Sequence, residues 1–130
     1  MGKEVSGKRF FKALNDRDFA LMEELLEADA ALHFPKTQPL VGKQRILKFL
    51  RLLFRQYPQL VFSVHRIIQQ DAFVVVHWSN RGKNRHGEPY ENEGVTLIEL
   101  SGRRIRFISD FFKDTEKFYH SECAEEGLIA

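Results

Sequence analysis

The sequence predicts an α+β fold in which a curled, mainly antiparallel sheet wraps around a long helix. Apolar residues recur at helical spacing through the first half of the chain, whereas β-branched and aromatic residues dominate four segments of the second half. Short polar turns separate those segments, so consecutive strands pair as antiparallel neighbours. Because the 130 residues contain no repeat or linker, we expect one domain over 1–130, with a core at about 6–118 and a flexible tail at 119–130.

Three helices are predicted in the first half of the chain. Ser6 and Asp18 are suitable N-caps for two shorter helices, because their side-chain oxygens can accept a hydrogen bond from the first turn. The longest predicted helix spans residues 43–56 and follows Gly42, with a broad apolar stripe along one side. This stripe indicates that the helix covers one face of the sheet.

Five strands are predicted, and four of them are long. A short strand at 30–34 precedes the long helix, and the long strands occupy 60–68, 72–80, 90–100 and 104–112. Strands of this length twist and curl, so the sheet bends around the helix. A curled sheet closed by helices leaves a cone-shaped pocket between the two layers, which is the predicted binding site.

Asp110 is the strongest candidate for a catalytic residue. Aspartate is unfavourable within a strand, yet this one lies between apolar neighbours at 107–108 and 111–112. Strand alternation places its carboxyl on the same face as Ile108 and Phe112. Burial there raises a carboxyl pKa toward the range useful for accepting and returning a proton. The residues leave open the alternative of a buried carboxylate that pairs with an Arg, Tyr or Trp group across the sheet.

Further residues of the pocket wall come from three strands. Tyr90 and Thr96 share one face of the third long strand with Asn92, and such a mixture of polar and apolar groups is typical of a binding pocket. Asn92 either orients a carbonyl or hydroxyl group of a ligand or satisfies a backbone group near the start of its strand. The predicted ligand-binding residues are Trp78, Tyr90, Asn92, Thr96, Ile108 and Phe112.

His77 is a second candidate for acid–base chemistry, as a partner of Asp110 in a proton relay. An unperturbed histidine pKa of about 6.5 suits that role. However, His77 and Trp78 are neighbours in a strand and point to opposite faces, so at most one of them faces the pocket. The alternative for His77 is a satisfied or solvent-facing side chain without a role in chemistry.

Metal ions, cofactors and macromolecular ligands are not expected. The five histidines lack the paired spacing of metal ligands, and the sequence has no glycine-rich phosphate loop or dinucleotide motif. A net charge of +2 without an aromatic-interleaved basic motif argues against nucleic acid, and the apolar runs are too short for a membrane span. A single cysteine, Cys123, fits a reducing cytoplasm. The expected ligand is a hydrophobic small molecule.

Five segments, in this order, resemble the SnoaL-like branch of the nuclear-transport-factor-2-like superfamily. They are FFKALN at 10–15, PLVG at 39–42, YENEGV at 90–95, GRRI at 102–105 and SDFF at 109–112. The resemblance runs through nearly the whole chain and implies the superfamily's α+β fold. It does not imply a reaction, because the superfamily includes isomerases, cyclases, epoxide hydrolases and non-catalytic binding modules.

The resemblance also implies which chemistries this chain lacks. Ketosteroid isomerases have an oxyanion-donating tyrosine where this sequence has Phe10, and their basic aspartate is replaced by Phe34 before Pro35. The arginine and aspartate that limonene-epoxide hydrolases carry on the second long strand have no counterpart in 72–80. Asp110 does match the position of the catalytic acid–base residue in SnoaL-type polyketide cyclases.

Three functions remain open at this point. In the first, the chain is a cofactor-independent isomerase, cyclase or lyase in which Asp110 moves a proton on an apolar carbonyl compound. In the second, it binds a ligand in the same pocket without chemistry. In the third, it is an interaction module. The superfamily commonly pairs sheet to sheet, and Val95 and Leu97 add apolar area to the outer side of the sheet. A homodimer through the sheet face is therefore expected under all three.

Overall fold

The structure, a computed structural model, describes residues 2–116. Within this part of the chain, three helices accompany six strands. The helices are α1 (Gly2–Asp16), α2 (Phe19–Leu25) and α3 (Lys43–Gln56). The strands are β1 (Leu26–His33), β2 (Leu40–Val41), β3 (Val61–Gln70), β4 (Phe73–Lys83), β5 (Pro89–Ser101) and β6 (Arg104–Phe112).

The strands form one open sheet in the order β2-β1-β6-β5-β4-β3. All neighbouring pairs are antiparallel except β1 and β6, which run parallel. Strands β3 to β6 form the predicted meander. The prediction of an α+β fold with a mainly antiparallel sheet is therefore confirmed.

The helices lie against one face of the sheet, which we call the cavity face. Helix α1 packs against β3 and β4, and α3 packs against β1 and β2 at the other end of the sheet. On β4 the cavity face carries Val74, Val76 and Trp78, all buried, whereas Phe73 and His77 point to the opposite, outer face. The hydrophobic core thus lies between the cavity face and the helices.

Two glycines on the cavity face allow neighbouring backbone segments to approach the sheet closely. A Cβ atom on Gly94 of β5 would lie 2.2 Å from the carbonyl oxygen of Phe111, and one on Gly82 of β4 would lie 2.8 Å from the Cα of Leu60. The backbone of the neighbouring strand therefore occupies the space into which a side chain would point. Since glycine alone permits this approach, β6 and β3 can bend over the cavity face at these two points.

The predicted element boundaries agree best where the apolar pattern is long. Helix α3 and strand β6 have the predicted bounds, and the Oδ1 atom of Asp18 caps α2 by accepting a hydrogen bond from the Leu21 N–H at 3.0 Å. The prediction for Ser6 was wrong, because α1 begins at Gly2 and the Ser6 hydroxyl donates to the Arg103 carbonyl at 3.1 Å. The predicted tail, 119–130, lies outside the described residues.

Candidate active site

A cavity lies between the cavity face of the sheet and helices α1 and α3. Its volume is about 50 Å³. The aliphatic residues of its wall are Leu14, Leu32, Ile46, Leu50, Leu53, Leu60 and Ile108. The phenylalanines are Phe10, Phe11, Phe34, Phe54, Phe62 and Phe112. The residues with a polar side-chain atom are Tyr57, Trp78, Asn80, Tyr90, Thr96 and Asp110.

Aromatic rings limit the size of a ligand that this cavity accepts. Phe34, Phe62 and Phe112 are only partly buried, and the Phe34 and Phe112 rings are 5.3 Å apart between centroids. A fused polycyclic ligand would require these rings to change rotamer, which is a common response of side chains to binding.

Asp110 projects from β6 into this apolar cavity, on the same face as Ile108 and Phe112. Burial raises the pKa of its carboxyl from 3.8 to about 6, and a hydrogen bond from Thr96 offsets this only in part. At neutral pH the group is therefore mostly ionised yet readily protonated. These are the properties of a carboxylate that can take a proton from a ligand and return it.

A short hydrogen-bond chain orients the Asp110 carboxyl. The indole Nε1 of Trp78 donates to the Thr96 hydroxyl at 2.8 Å, and that hydroxyl donates to Oδ1 of Asp110 at 2.6 Å. Strand register produces the chain, because Thr96 of β5 lies directly opposite Asp110 of β6. Within the described part of the chain, Oδ2 of Asp110 accepts no hydrogen bond.

Tyr90 lies in the cavity wall, but Asn92 does not. The Asn92 amide group donates to the Tyr90 hydroxyl and to the Asp114 carbonyl, both at 2.9 Å, and its Oδ1 accepts from the Asp114 N–H at 3.1 Å. Of the two alternatives for Asn92, the structure supports a backbone partner, although that partner follows β6 rather than the start of β5. Asn92 acts on the cavity by holding the Tyr90 hydroxyl.

His77 does not reach Asp110, and the expected relay between them needs correction. The side chain points to the outer face, where its Nε2 lies 2.6 Å from Oε2 of Glu93. Lys113 contacts the other Glu93 oxygen at 2.9 Å. The hydrogen bonds from His77 and then Lys113 lower the Glu93 pKa to about 2. Trp78 is thus the member of the adjacent pair that faces the cavity, as strand alternation requires.

Three polar contacts hold the end of the cavity that lies away from Asp110. Asn15 of α1 donates to the Phe62 carbonyl at 2.9 Å and accepts from the Phe62 N–H at 2.8 Å. Arg17 donates to the Leu60 carbonyl at 2.8 Å. These contacts fix the start of β3 against α1, where Phe62 is the cross-strand neighbour of Asn80.

Sequence reasoning missed Tyr57 and Asn80 as residues of the cavity wall. Tyr57 follows α3 and packs its ring on that of Tyr90, with the centroids 4.7 Å apart. No periodic signal predicts its position, because it lies at an irregular chain reversal. Asn80 does have a signal, since it follows Val76 and Trp78 at the two-residue spacing of the cavity face.

Neither a metal cluster nor a membrane span is found in the part of the chain that the structure covers. Residues 2–116 contain no group of three or more His, Cys, Asp or Glu side chains arranged to hold a metal ion. None of their helices has the length and apolar character needed to cross a membrane.

The open α+β sheet, its helical cover and a half-buried acid in an apolar cavity define a class of small pocket-containing domains. The family model of the SnoaL-like domain matches residues 8–108. The chain therefore belongs to the SnoaL-like domain family. None of the curated proteins matches it in sequence.

Solved structures share this fold at low sequence identity. TerC co-crystallised with polyporic acid superimposes with a TM-score of 0.83 at 16% identity, covering 93% of this chain and 98% of TerC. A proposed SnoaL-like polyketide cyclase from a Jannaschia species gives 0.78 at 20% identity and 85% coverage of both chains. A nuclear-transport-factor-2-like protein of unknown function from Burkholderia pseudomallei gives 0.80 at 15% identity, covering 97% of this chain and 95% of that one. These similarities establish the fold.

Proposed function

We propose that the cavity binds a compact, apolar carbonyl compound and that Asp110 transfers a proton on it without a cofactor. The observation that carries this proposal is the Asp110 carboxyl itself, which faces an apolar cavity and has its pKa raised to about 6 by burial. A base with a pKa close to the working pH combines a large ionised fraction with useful proton affinity. The reaction class is isomerisation, cyclisation or elimination through an enolate.

The proposed step begins with ionised Asp110. Its Oδ2 takes a proton from the carbon next to the carbonyl group, and the electron pair of the C–H bond becomes the enolate. In an isomerisation the protonated carboxyl then returns the proton to a different carbon. In a cyclisation the enolate carbon attacks a second carbonyl group of the same molecule, and the carboxyl gives its proton to the alkoxide oxygen that forms. In an elimination the enolate expels a leaving group from the next carbon, and that group takes the proton. Thr96 holds Oδ1 throughout, so the carboxyl keeps its direction while the proton moves.

Two of the similar structures support a ligand of this kind. One is a proposed polyketide cyclase, and the other was crystallised with polyporic acid. Carbonyl groups next to acidic carbons are the chemical basis of polyketide cyclisation. The apolar wall of the present cavity favours the same class of compound, in a size set by the surrounding phenylalanine rings.

Hydrogen–deuterium exchange on a bound ketone tests the proposal. Cyclohexanone and larger aryl ketones are first screened for binding by thermal shift, because a ligand of the folded state raises the melting temperature. Exchange of the protons next to the carbonyl is then followed by NMR in D₂O. We expect the wild-type protein to accelerate exchange and Asp110→Asn to lose about 100-fold or more of that rate. Glu93→Gln, which alters a carboxyl on the outer face, is the matched control and keeps the rate.

A non-catalytic ligand-binding protein is the second candidate, and one observation favours it. Enolate formation usually needs a hydrogen-bond donor for the developing oxyanion. Among the described residues, the donors nearest Asp110 are already engaged, since Trp78 donates to Thr96 and Thr96 to Asp110. Ketone binding without accelerated exchange, in the wild type and Asp110→Asn alike, would establish this candidate and exclude the first.

The outer face supports the proposal of a homodimer. Ile68, Val75, Val95, Leu97 and Phe111 form an outer patch in register across β3 to β6, and Ile68 and Phe111 are more than half exposed. Pairing two such patches would remove this apolar area from water. Sedimentation should show a dimer that Phe111→Glu dissociates, whereas Val41→Glu on the distant edge strand leaves it intact. A wild-type monomer at micromolar concentrations would contradict the dimer.

A cytoplasmic location stays part of this proposal. It rests on the single cysteine, Cys123, which lies outside the described residues. Fractionation of cells that express the tagged protein tests it, and recovery from a membrane or secreted fraction would contradict it.

A further inference from the structure

One polar group in the cavity wall has no use in the proton-transfer step described above. Asn80 is only 7% exposed and lines the cavity. Its Oδ1 atom is buried and accepts no hydrogen bond from the described residues. Buried acceptors are nearly always paired, and one without a donor destabilises the protein. Because Asn80 lies in the cavity wall, a bound ligand is a candidate for the missing partner once the amide turns its oxygen toward the cavity.

Two neighbouring side chains that could supply a donor are committed elsewhere. Trp78, two residues earlier on the same face of β4, donates its single N–H group to Thr96. Asn92, directly opposite Asn80 on β5, uses both amide hydrogens, one to the Tyr90 hydroxyl and one to the Asp114 carbonyl. A turn of either side chain toward Asn80 would break an existing hydrogen bond, so neither of them pairs with the Asn80 oxygen.

Asn80 and Asp110 lie at different levels of the sheet. Val76 is the β4 residue aligned with Asp110, because both pair with Thr96. Asn80 lies four residues further along β4, or roughly 13 Å along the strand. A ligand group that reaches Asn80 is therefore remote from the carbon that exchanges a proton at Asp110.

We infer that Asn80 selects ligands that carry a neutral hydrogen-bond donor, a hydroxyl or amide N–H group, at the end of the molecule away from the reacting carbonyl. This inference rests on the proposed function in one respect, since it requires that the cavity bind a small molecule. It does not depend on proton transfer by Asp110. It narrows the ligand class from apolar carbonyl compounds to those with a distal donor.

Benzene and phenol are the probes that test this inference, because the two rings differ only by one hydroxyl donor. Their dissociation constants are measured by NMR titration for the wild-type protein and for Asn80→Leu, a substitution of similar volume without the amide. The quantity compared is the ratio of the benzene constant to the phenol constant. We expect Asn80→Leu to lower this ratio about fivefold or more, the value of one buried neutral hydrogen bond.

Two further variants separate the effect of Asn80 from the effects of other buried polar groups. Gln56 is 1% exposed and both polar atoms of its side chain also have no partner among the described residues, but it does not line the cavity. Gln56→Leu therefore controls for the removal of a buried amide and should leave the ratio unchanged. Asp110→Asn tests whether phenol instead donates to the carboxylate, and it should also leave the ratio unchanged. Asn80→Ala provides a second variant if Asn80→Leu does not fold.

Each outcome bears on the inference. The inference is overturned if the ratio of the benzene constant to the phenol constant is the same in the wild type and the Asn80 variants. It is also overturned if that ratio falls in Asp110→Asn instead. In both cases the proposed proton transfer still stands. A ratio that falls in the Asn80 variants alone supports it, even when ketone exchange is not accelerated. Failure of the wild-type protein to bind either ring would overturn both the ligand-binding cavity and the role of Asn80.

Discussion

Asp110 and Glu93 are carboxylic acids on neighbouring strands, and the two faces of the sheet give them opposite properties. On the cavity face, burial among apolar side chains raises the Asp110 pKa to about 6. On the outer face, hydrogen bonds from His77 and Lys113 lower the Glu93 pKa to about 2. The comparison teaches that strand alternation, rather than residue type, decides which carboxyl in this sheet can exchange a proton near neutral pH.

The largest expected difference between the two faces is in the free energy of unfolding lost on substitution, and two adjacent residues of β4 test it. Trp78→Ala should lower the free energy of unfolding by about 3–5 kcal/mol, because it removes a buried ring from the core. His77→Ala removes a half-exposed side chain that pairs with Glu93, and should cost less than about 1 kcal/mol. Urea denaturation measures both. Similar losses for the two variants would contradict the assignment of the faces.

The next prediction concerns stability and pH at Asp110. Between pH 3.8 and about 6, the Asp110 carboxyl binds a proton more tightly in the folded state than in the unfolded state. Stability from this group is therefore present below pH 3.8 and is lost as the pH rises to about 6. Asp110→Asn should remove that decline and raise the free energy of unfolding at pH 7 by about 2–3 kcal/mol. Melting curves across this pH range measure it.

Glu93 is the control for this pH dependence, because its effect on stability changes with pH in the opposite direction. Its folded pKa is lowered from 4.5 to about 2, so its contribution is present above pH 4.5 and is lost as the pH falls toward 2. Glu93→Gln should flatten the stability profile only on that acidic side. An Asp110→Asn profile that still declines between pH 4 and 6 would show that other groups produce the slope.

A smaller loss of stability is expected when a hydroxyl group is removed from either face of the sheet. Thr96→Val leaves the buried Trp78 N–H without its acceptor and Asp110 without its donor, which should cost about 1–3 kcal/mol. It should also raise the Asp110 pKa further, as NMR titration of the carboxyl carbon would show. Ser79→Ala removes a hydroxyl that contacts His65 on the outer face, and should change stability by less than about 0.5 kcal/mol. An unchanged Asp110 pKa in Thr96→Val would contradict the hydrogen-bond chain.

The fold could be predicted from the sequence where a long apolar pattern repeats. The stripe of α3 and the alternation of β6 gave the correct bounds. Strand β1 starts at Leu26, earlier than predicted. The prediction missed this start because Met22, Leu25 and Leu26 also have helical spacing. The two-residue strand β2 has no pattern of its own, since its pairing with β1 depends on tertiary contacts.

The candidate site could be predicted only as far as strand alternation reaches. Alternation predicted Thr96 and Asp110 as separate residues of the pocket wall and allowed only one of His77 and Trp78 to face it. That the two residues lie directly opposite each other was not predicted. Alternation gave no information on hydrogen-bond partners. Asn92 therefore lies on the predicted face, but its amide group donates to the Tyr90 hydroxyl and the Asp114 carbonyl. The contact with Asp114 depends on the path of the chain after β6.

Gly82 and Gly94 have a consequence for how the cavity can change in evolution. Backbone atoms of the neighbouring segments occupy the space into which a side chain at either position would point. A single methyl group there would force those segments apart, so substitutions that reshape the cavity must come from residues of its wall rather than from these two positions.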